Sequence, residues 1–306
     1  MLKLAGKMSE SIKTKEIVNP GSIVIATSTL YPDWVPSSNS DSSVTIRGNL
    51  ALETIRKGVS SGYKFVLVDD GSSQDFIAEA KNLGARVLIQ AEKGISPGRR
   101  QAFEEASKLP DSKIICWLEP EKVSVIEDCL PEAILPIIRG EADIVVPKRN
   151  EDSLLTYPDY QVKSEKRANS LWNRILKKRG LMPQESEDLD VWFGPKFFRN
   201  DPGILDIFLT RYQLAKSGTK LYKNVDPEDW ANSTFLPIIT ALKEGYKVKS
   251  VTVPYRHPPE QTKLEQGSDA FREKRSLQFK SIIFLTIELI KFLENNPKSL
   301  IIEQPE

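Results

Sequence analysis

Apolar and polar positions fall in blocks along this chain. Short, mostly apolar runs occur at residues 22–26 (S-I-V-I-A), 65–68 (F-V-L-V), 85–89 (A-R-V-L-I), 113–118 (K-I-I-C-W-L) and 143–146 (D-I-V-V). Runs of that length and composition predict strands buried on both faces. Between them, apolar residues recur at helical spacing. Residues 46–58 repeat at Ile46, Leu50 and Ile55; residues 76–83 end at Gly84; residues 97–109 open on Pro97. Residues 125–139 also read as helix, with Pro131 and Pro136 predicting a kink or a split.

Alternation of strand and helix at this spacing predicts an α/β fold, a single doubly wound, mostly parallel sheet. Right-handed crossovers then bring the carboxyl ends of the strands to one edge. Residues 27–34, 69–75, 92–100, 119–122 and 147–150 fall there, and they are polar, charged or aromatic almost throughout. Ligands of open α/β sheets bind at that edge. The second half is less regular. It offers a basic helix at 166–178, short runs at 189–193 and 197–198 around Gly194-Pro195, a helix at 226–243 opening D-P-E-D-W, a strand at 248–253 followed by Y-R-H-P-P, and a long amphipathic helix at 270–293. Residues 1–20 read as a loose arm, and 21–306 as one domain.

Composition narrows the classes. With 43 basic and 42 acidic residues the formal charge is +1, which argues against a dedicated nucleic-acid binder. Cys116 sits in an apolar strand pattern, so a buried reduced thiol is expected. The first ten residues lack an apolar signal-peptide core, and the apolar run near the C-terminus is interrupted by Glu288 and Lys291. A cytoplasmic protein is expected, with membrane contact at most peripheral, through the basic start F-R-E-K-R of the last helix.

The stretch from Val66 to Asp75, V-L-V-D-D-G-S-S-Q-D, ends a buried strand in two carboxylates, a glycine and a capping serine. V-D-D-G-S-S-Q-D resembles the nucleotide-binding signature of family 2 glycosyltransferases, which have the GT-A fold. Four more stretches follow in the family's order. K-G-I-S-P-G-R-R-Q-A, from Lys93, resembles the glycine-containing segment before the third helix. W-L-E-P-E-K, Trp117 to Lys122, falls where the family carries Asp-x-Asp. D-P-E-D-W, Asp226 to Trp230, is similar to the segment that supplies the catalytic base of inverting members, and D-V-W-F-G-P-K-F-F, from Asp190, resembles the strand and loop before it. The likeness runs from about Ile23 to His257.

The resemblance implies a glycosyltransferase that moves a sugar from a UDP- or GDP-linked donor to a glycan, lipid or small-molecule acceptor. Residues 21–150 would form the nucleotide-sugar half, 151–265 the acceptor and catalytic half, and 266–306 a C-terminal helix. Asp69 or Asp70, with Thr27 or Ser28, would receive the nucleoside. Lys93 and Arg99, beside Arg100, and Lys122 would face the phosphates. Glu119 and Glu121, in place of the aspartates, would hold Mg²⁺ or Mn²⁺, and His257 is a further candidate ligand. Asp229, next to Glu228, would be the base if the anomeric carbon is inverted; a metal-bound His257 would instead favour retention. Trp192 and Trp230 are candidates to stack on sugar faces. Two rival readings stay open: a sugar nucleotidyltransferase, against which T-S-T-L-Y-P-D-W after the first strand counts, and a non-catalytic relative, favoured by the changed Glu-Pro-Glu.

Overall fold

A computed structural model describes residues 19–36, 42–212 and 233–295. Strand β1 (Ile23–Thr29) is followed by helix α1 (Ser43–Ser60), β2 (Lys64–Asp69), α2 (Gln74–Asn82), β3 (Arg86–Ile89), α3 (Ile95–Ser107) and β4 (Ile114–Trp117). Serines start two of these helices. Ser42 Oγ accepts the Thr45 N–H at 3.1 Å, and Ser73 Oγ accepts the Phe76 N–H at 3.2 Å. The 125–139 segment does divide at its prolines, into a π-helical turn (Val125–Cys129), α4 (Leu130–Ala133) and α5 (Leu135–Ile138). Each proline sits at the start of a short helix, where its missing N–H costs nothing.

Then come β5 (Ile144–Arg149), α6 (Glu151–Leu154), α7 (Asp159–Lys178), β6 (Lys196–Arg199), α8 (Pro202–Leu209), α9 (Leu236–Lys243), β7 (Val248–Val253), α10 (Pro259–Glu265) and α11 (Asp269–Asn295). The sheet runs β3-β2-β1-β4-β6-β5-β7, and every pairing is parallel except those of β6 with β4 and β5. This is the expected doubly wound, mostly parallel α/β sheet. The sequence pattern did not announce α6, α8 or α10, each of which begins beside a loop and is short.

Alternation along the strands feeds two cores, as the period of two demands. Val24, Ala26, Val66 and Ile115 face a layer built from α3, α7, α8, α9 and α11. Ile23, Ile25, Phe65 and Leu67 face the opposite layer, built from α1, α2, α4 and α5. Trp172 of α7 is fully buried in the first layer and donates through Nε1 to Thr286 Oγ1 of α11 at 3.1 Å. That bond satisfies the indole and fixes α11 against α7. Cys116 and Cys129 are buried free thiols, as expected for Cys116. Among the described residues no helix is long and apolar enough to cross a membrane.

Candidate active site

The organising turn after β2 separates two neighbouring carboxylates by role. Asp69 is wholly buried. Its Oδ2 accepts the N–H groups of Gly71 (3.0 Å) and Ser72 (2.8 Å), and its Oδ1 accepts the Thr29 hydroxyl (2.7 Å). Gly71, at φ 111°, makes the reversal that these bonds need. Ser72 Oγ then accepts the Tyr31 N–H at 2.9 Å, which ties down the loop after β1. With Asp69 spent on the turn, Asp70 is the one exposed to the cleft. Thr27 is likewise buried, donating to the Leu118 carbonyl at 2.9 Å, and Ser28 lines the cleft. So Asp69 and Thr27, expected to touch a nucleoside, instead shape the turns that present Asp70 and Ser28.

The cleft holds about 430 Å³ and lies along the carboxyl edge of the sheet. Its first wall, from β1, β2 and β3, carries Ser28, Tyr31, Asp70 and Gln90. Arg99 enters from α3, its guanidinium 4.8 Å from the centroid of the Trp117 ring. Burial lowers the Arg99 pKa to about 10, which leaves it charged at neutral pH. Lys93 is exposed and does not line the cleft, nor does Arg100.

Trp117 ends β4, and Glu119, Glu121 and Lys122 follow it into the floor. Glu121 is 3% exposed, and its Oε1 accepts both Arg47 Nη2 (2.6 Å) and the Tyr31 hydroxyl (2.8 Å). That carboxylate raises the pKa of Arg47 further. Glu119 is different. Its Oε2 is buried and accepts no hydrogen bond, and Lys122 Nζ stands 3.9 Å away. Gly194, at φ 104°, packs so closely that a Cβ there would overlap the Glu119 carboxylate. Lys122 Nζ lies over the rings of Phe193 and Tyr255, 5.0 and 5.1 Å from their centroids.

The second wall rises beyond β5 and β7. His257 stacks on Tyr157, ring centroids 4.1 Å apart and planes 16° from parallel. Its backbone N–H donates to Thr156 Oγ1 at 2.9 Å. Nδ1 is 3.4 Å from the Tyr255 hydroxyl, and Nε2 is 3.5 Å from Glu265 Oε2. Burial lowers the His257 pKa, and the contact with Glu265 opposes that only in part, so the ring is neutral at pH 7. Beneath, Arg149 at the end of β5 binds Asp190 through Nε and Nη2, each at 2.8 Å, and Glu165 through Nη1 at 2.7 Å. Its guanidinium is 4.9 Å from the Tyr157 ring centroid. Burial disfavours the Asp190 charge, but Arg149 outweighs it and holds the Asp190 pKa below the usual value. Held by both Asp190 and Glu165, Arg149 gives Tyr157 and His257 a rigid base.

Glu228, Asp229 and Trp230 lie outside the described residues. Trp192 is buried edge-on against Phe235, centroids 5.1 Å apart, and does not line the cleft. Sequence reasoning missed Arg47, Tyr157, Gln161, Glu265 and the α11 residues Phe271, Lys274 and Arg275, all on the cleft wall. The signal for the last three was present in F-R-E-K-R; the structure turns that segment toward the cleft.

The wall offers a divalent ion some suitable donors. Glu119 Oε2, His257 Nε2 and Glu265 Oε2 are buried without hydrogen-bond partners. The carboxylate oxygens suit Mg²⁺ or Mn²⁺, whereas an imidazole is a softer ligand than Mg²⁺ prefers. Among the described residues no group of three or more His, Cys, Asp or Glu side chains is placed to hold an ion unaided. An ion held by these donors would have to complete its shell with ligand phosphates, which is the usual way Mg²⁺ is bound.

A polar cleft across the carboxyl edge is where open α/β sheets bind their ligands. The profile described as Glycosyl transferase family 2 matches residues 49–202, half of the chain, and the chain belongs to that family. It is a glycosyltransferase acting with a nucleotide sugar. Solved structures agree on the fold. Glucosyl-3-phosphoglycerate synthase from Mycobacterium tuberculosis, in complex with Mn²⁺, UDP and glucosyl-3-phosphoglycerate, aligns with a TM-score of 0.54 at 12% identity, over 88% of this chain and 80% of that one. The same enzyme with phosphoglyceric acid gives 0.54 at 13% identity over the same shares. With Mn²⁺, UDP-glucose and phosphoglyceric acid it gives 0.53 at 11%, again over 88% and 80%. No curated protein matches the chain.

Proposed function

We propose that the cleft binds a UDP- or GDP-linked sugar with its nucleoside against the first wall and its diphosphate over the floor. Asp70 and Ser28 accept or donate hydrogen bonds to the base or ribose. Arg99 and Lys122 face the phosphates as cations kept charged within the cleft. The observation that supports this reading most is the sharing of one cleft by Asp70 from the end of β2, Arg99 from α3 and Glu119–Lys122 from the end of β4.

Glu119 and His257 would hold Mg²⁺ or Mn²⁺ against the diphosphate, with Glu121 beside them, one of its oxygens committed to Arg47 and Tyr31. When bound, such an ion stabilises the negative charge that gathers on the leaving nucleotide. The chain's own residues do the remaining work. Lys122 and Arg99 add fixed positive charge where the bond to the sugar breaks. The stacked Tyr157 and His257 close the sugar side; Asp229 would take the proton of the acceptor hydroxyl only in an inverting transfer with His257 off the metal.

Calorimetry with UDP and with GDP, each with and without Mn²⁺, tests the assignment. One nucleotide is expected to bind, and to bind at least about tenfold more tightly with Mn²⁺, a difference of about 1.4 kcal/mol. Binding of neither nucleotide under either condition refutes the placement.

A further inference from the structure

The second wall carries chemistry that a nucleotide on the first wall does not use. In sheet order Asp70 follows β2, whereas Tyr157 and His257 follow β5 and β7, on the other side of β1 and β4. Two glutamines stand on that far side. Gln161 of α7 donates its Nε2 to Glu165 Oε1 at 2.9 Å, and Gln261 of α10 donates its Nε2 to Glu265 Oε1 at 3.0 Å. An ionised carboxylate only accepts, so each amide must turn its NH₂ toward the glutamate and its oxygen away. The oxygen of Gln161 is left buried and without a partner, in a residue 2% exposed. A buried carbonyl oxygen left alone is costly, and a ligand hydroxyl would satisfy it.

The same wall carries cations from outside the sheet. Arg275 of α11 is held 3.4 Å from Glu165 and hydrogen-bonds Gln278 at 3.2 Å. Arg47 of α1 is held by Glu121. Lys274 lies at the mouth, exposed, with no ion pair or hydrogen bond among the described residues. Its pKa falls below the ordinary lysine value, first from lost hydration and then from repulsion by Arg47 and Arg275, which outweighs attraction by Glu121 and Glu265. Arg47 and Arg275 are thus each held by a carboxylate, Glu121 and Glu165, and Lys274 is the cation of this group without such a contact among the described residues.

We propose that the second wall, as the acceptor side of the transfer described above, receives a small hydroxylated anion, its phosphate or carboxylate on Lys274 beside Arg275 and Arg47 and a hydroxyl on the Gln161 oxygen. The inference rests on the nucleotide-sugar reading of the first wall. A neutral glycan would leave Lys274 unmatched, whereas an acid or phosphate ester of a short polyol meets both features. Charge also gives the enzyme selectivity, because neutral polyols lack the group that Lys274 recognises.

The full chain, saturated with whichever of UDP and GDP it binds, is titrated with glycerol 3-phosphate, glycerate, inorganic phosphate and glycerol. Glycerol 3-phosphate or glycerate is expected to bind, more tightly than phosphate, and glycerol not to bind. Lys274→Ala should weaken the anion by about tenfold or more, the loss of one charge-assisted contact, and Lys274→Arg should restore most of it. Gln161→Glu should weaken the anion too, by replacing the hydroxyl acceptor with a like charge. Nucleotide affinity should stay unchanged in all three variants. Equal binding of glycerol and glycerol 3-phosphate overturns the proposal. So does a Lys274→Ala loss that falls on the nucleotide instead, which would assign the cation to the diphosphate. If neither nucleotide binds, the first-wall reading fails by itself; anion titration of the chain without nucleotide still decides this one by the same Lys274→Ala comparison.

Discussion

Gly194 is the position where a single methyl group should separate stability from activity. It has φ 104° and ψ −63°, a conformation that side-chain-bearing residues rarely adopt, and a Cβ there would overlap the Glu119 carboxylate. Gly194→Ala therefore imposes two costs. Backbone strain of this sort amounts to about 1–3 kcal/mol. The second cost falls on function, because Glu119 must move away from the floor of the cleft. Gly180 supplies the control. It also has positive φ, 68°, just beyond α7, but a Cβ there meets nothing within 4 Å. Gly180→Ala thus carries strain, on the order of 1 kcal/mol, without displacing any side chain. Both variants should melt a few degrees lower, at roughly 2–4 °C per kcal/mol for a chain of this size. They should part company in binding and turnover. A displacement of about 1 Å in a group that positions the reacting phosphate can cost on the order of 10²-fold in rate. Gly194→Ala should lose about that much sugar transfer, together with the Mn²⁺ dependence of nucleotide binding, while Gly180→Ala keeps both. The assay is calorimetry with nucleotide and Mn²⁺, beside thermal melts and donor-sugar turnover on the same preparations. If Gly194→Ala binds nucleotide and turns over like Gly180→Ala, Glu119 is not part of the machinery.

Two further outcomes follow from buried charges. Asp190→Asn leaves Arg149 with half of its carboxylate partners in a site almost without water, so unfolding in urea should show a loss of about 3–5 kcal/mol; a loss under 1 kcal/mol, judged on the same scale, contradicts the account of the rigid base. Lys196 is fully buried on β6, opposite Trp117, and burial lowers its pKa from 10.5 to about 7. Between those values the unfolded chain binds a proton that the folded chain does not, so stability rises with pH, at up to about 1.4 kcal/mol per pH unit. Thermal midpoints measured from pH 7.5 to 9.5 should climb, and Lys196→Met should flatten the climb; an equally steep rise in the variant assigns it to another group.

The sheet was legible because each of its central strands is a short apolar run that only a two-sided core explains. What could not be read was direction. β6 is antiparallel, and nothing in K-F-F-R distinguishes that from its parallel neighbours; the reversal follows from where the chain re-enters between β4 and β5. The π-helical turn at 125–129 was also hidden, since the prolines predicted a break but not its form.

The first wall of the cleft was more readable than the second for a physical reason. Its residues come from consecutive βα turns, so one stretch of sequence specifies both the turn and the group it presents. Even there the sequence left the choice between two positions open. Asp69 and Asp70 are chemically identical, and only the three hydrogen bonds that close the turn decide which carboxylate is buried. The second wall is assembled from Arg47, Gln161, Glu265 and Lys274, residues on four helices separated by up to 227 positions of chain (274 − 47). No local pattern encodes such a meeting. F-R-E-K-R, taken alone, reads equally well as a membrane-facing or solvated start of a helix. It becomes part of a site because Trp172 docks α11 against α7 and Glu165 draws Arg275 inward, which leaves Lys274 at the cleft mouth. A charge run therefore has no function until packing fixes the face from which it is seen, and here the buried glutamate, not the lysine, is the residue that fixes it.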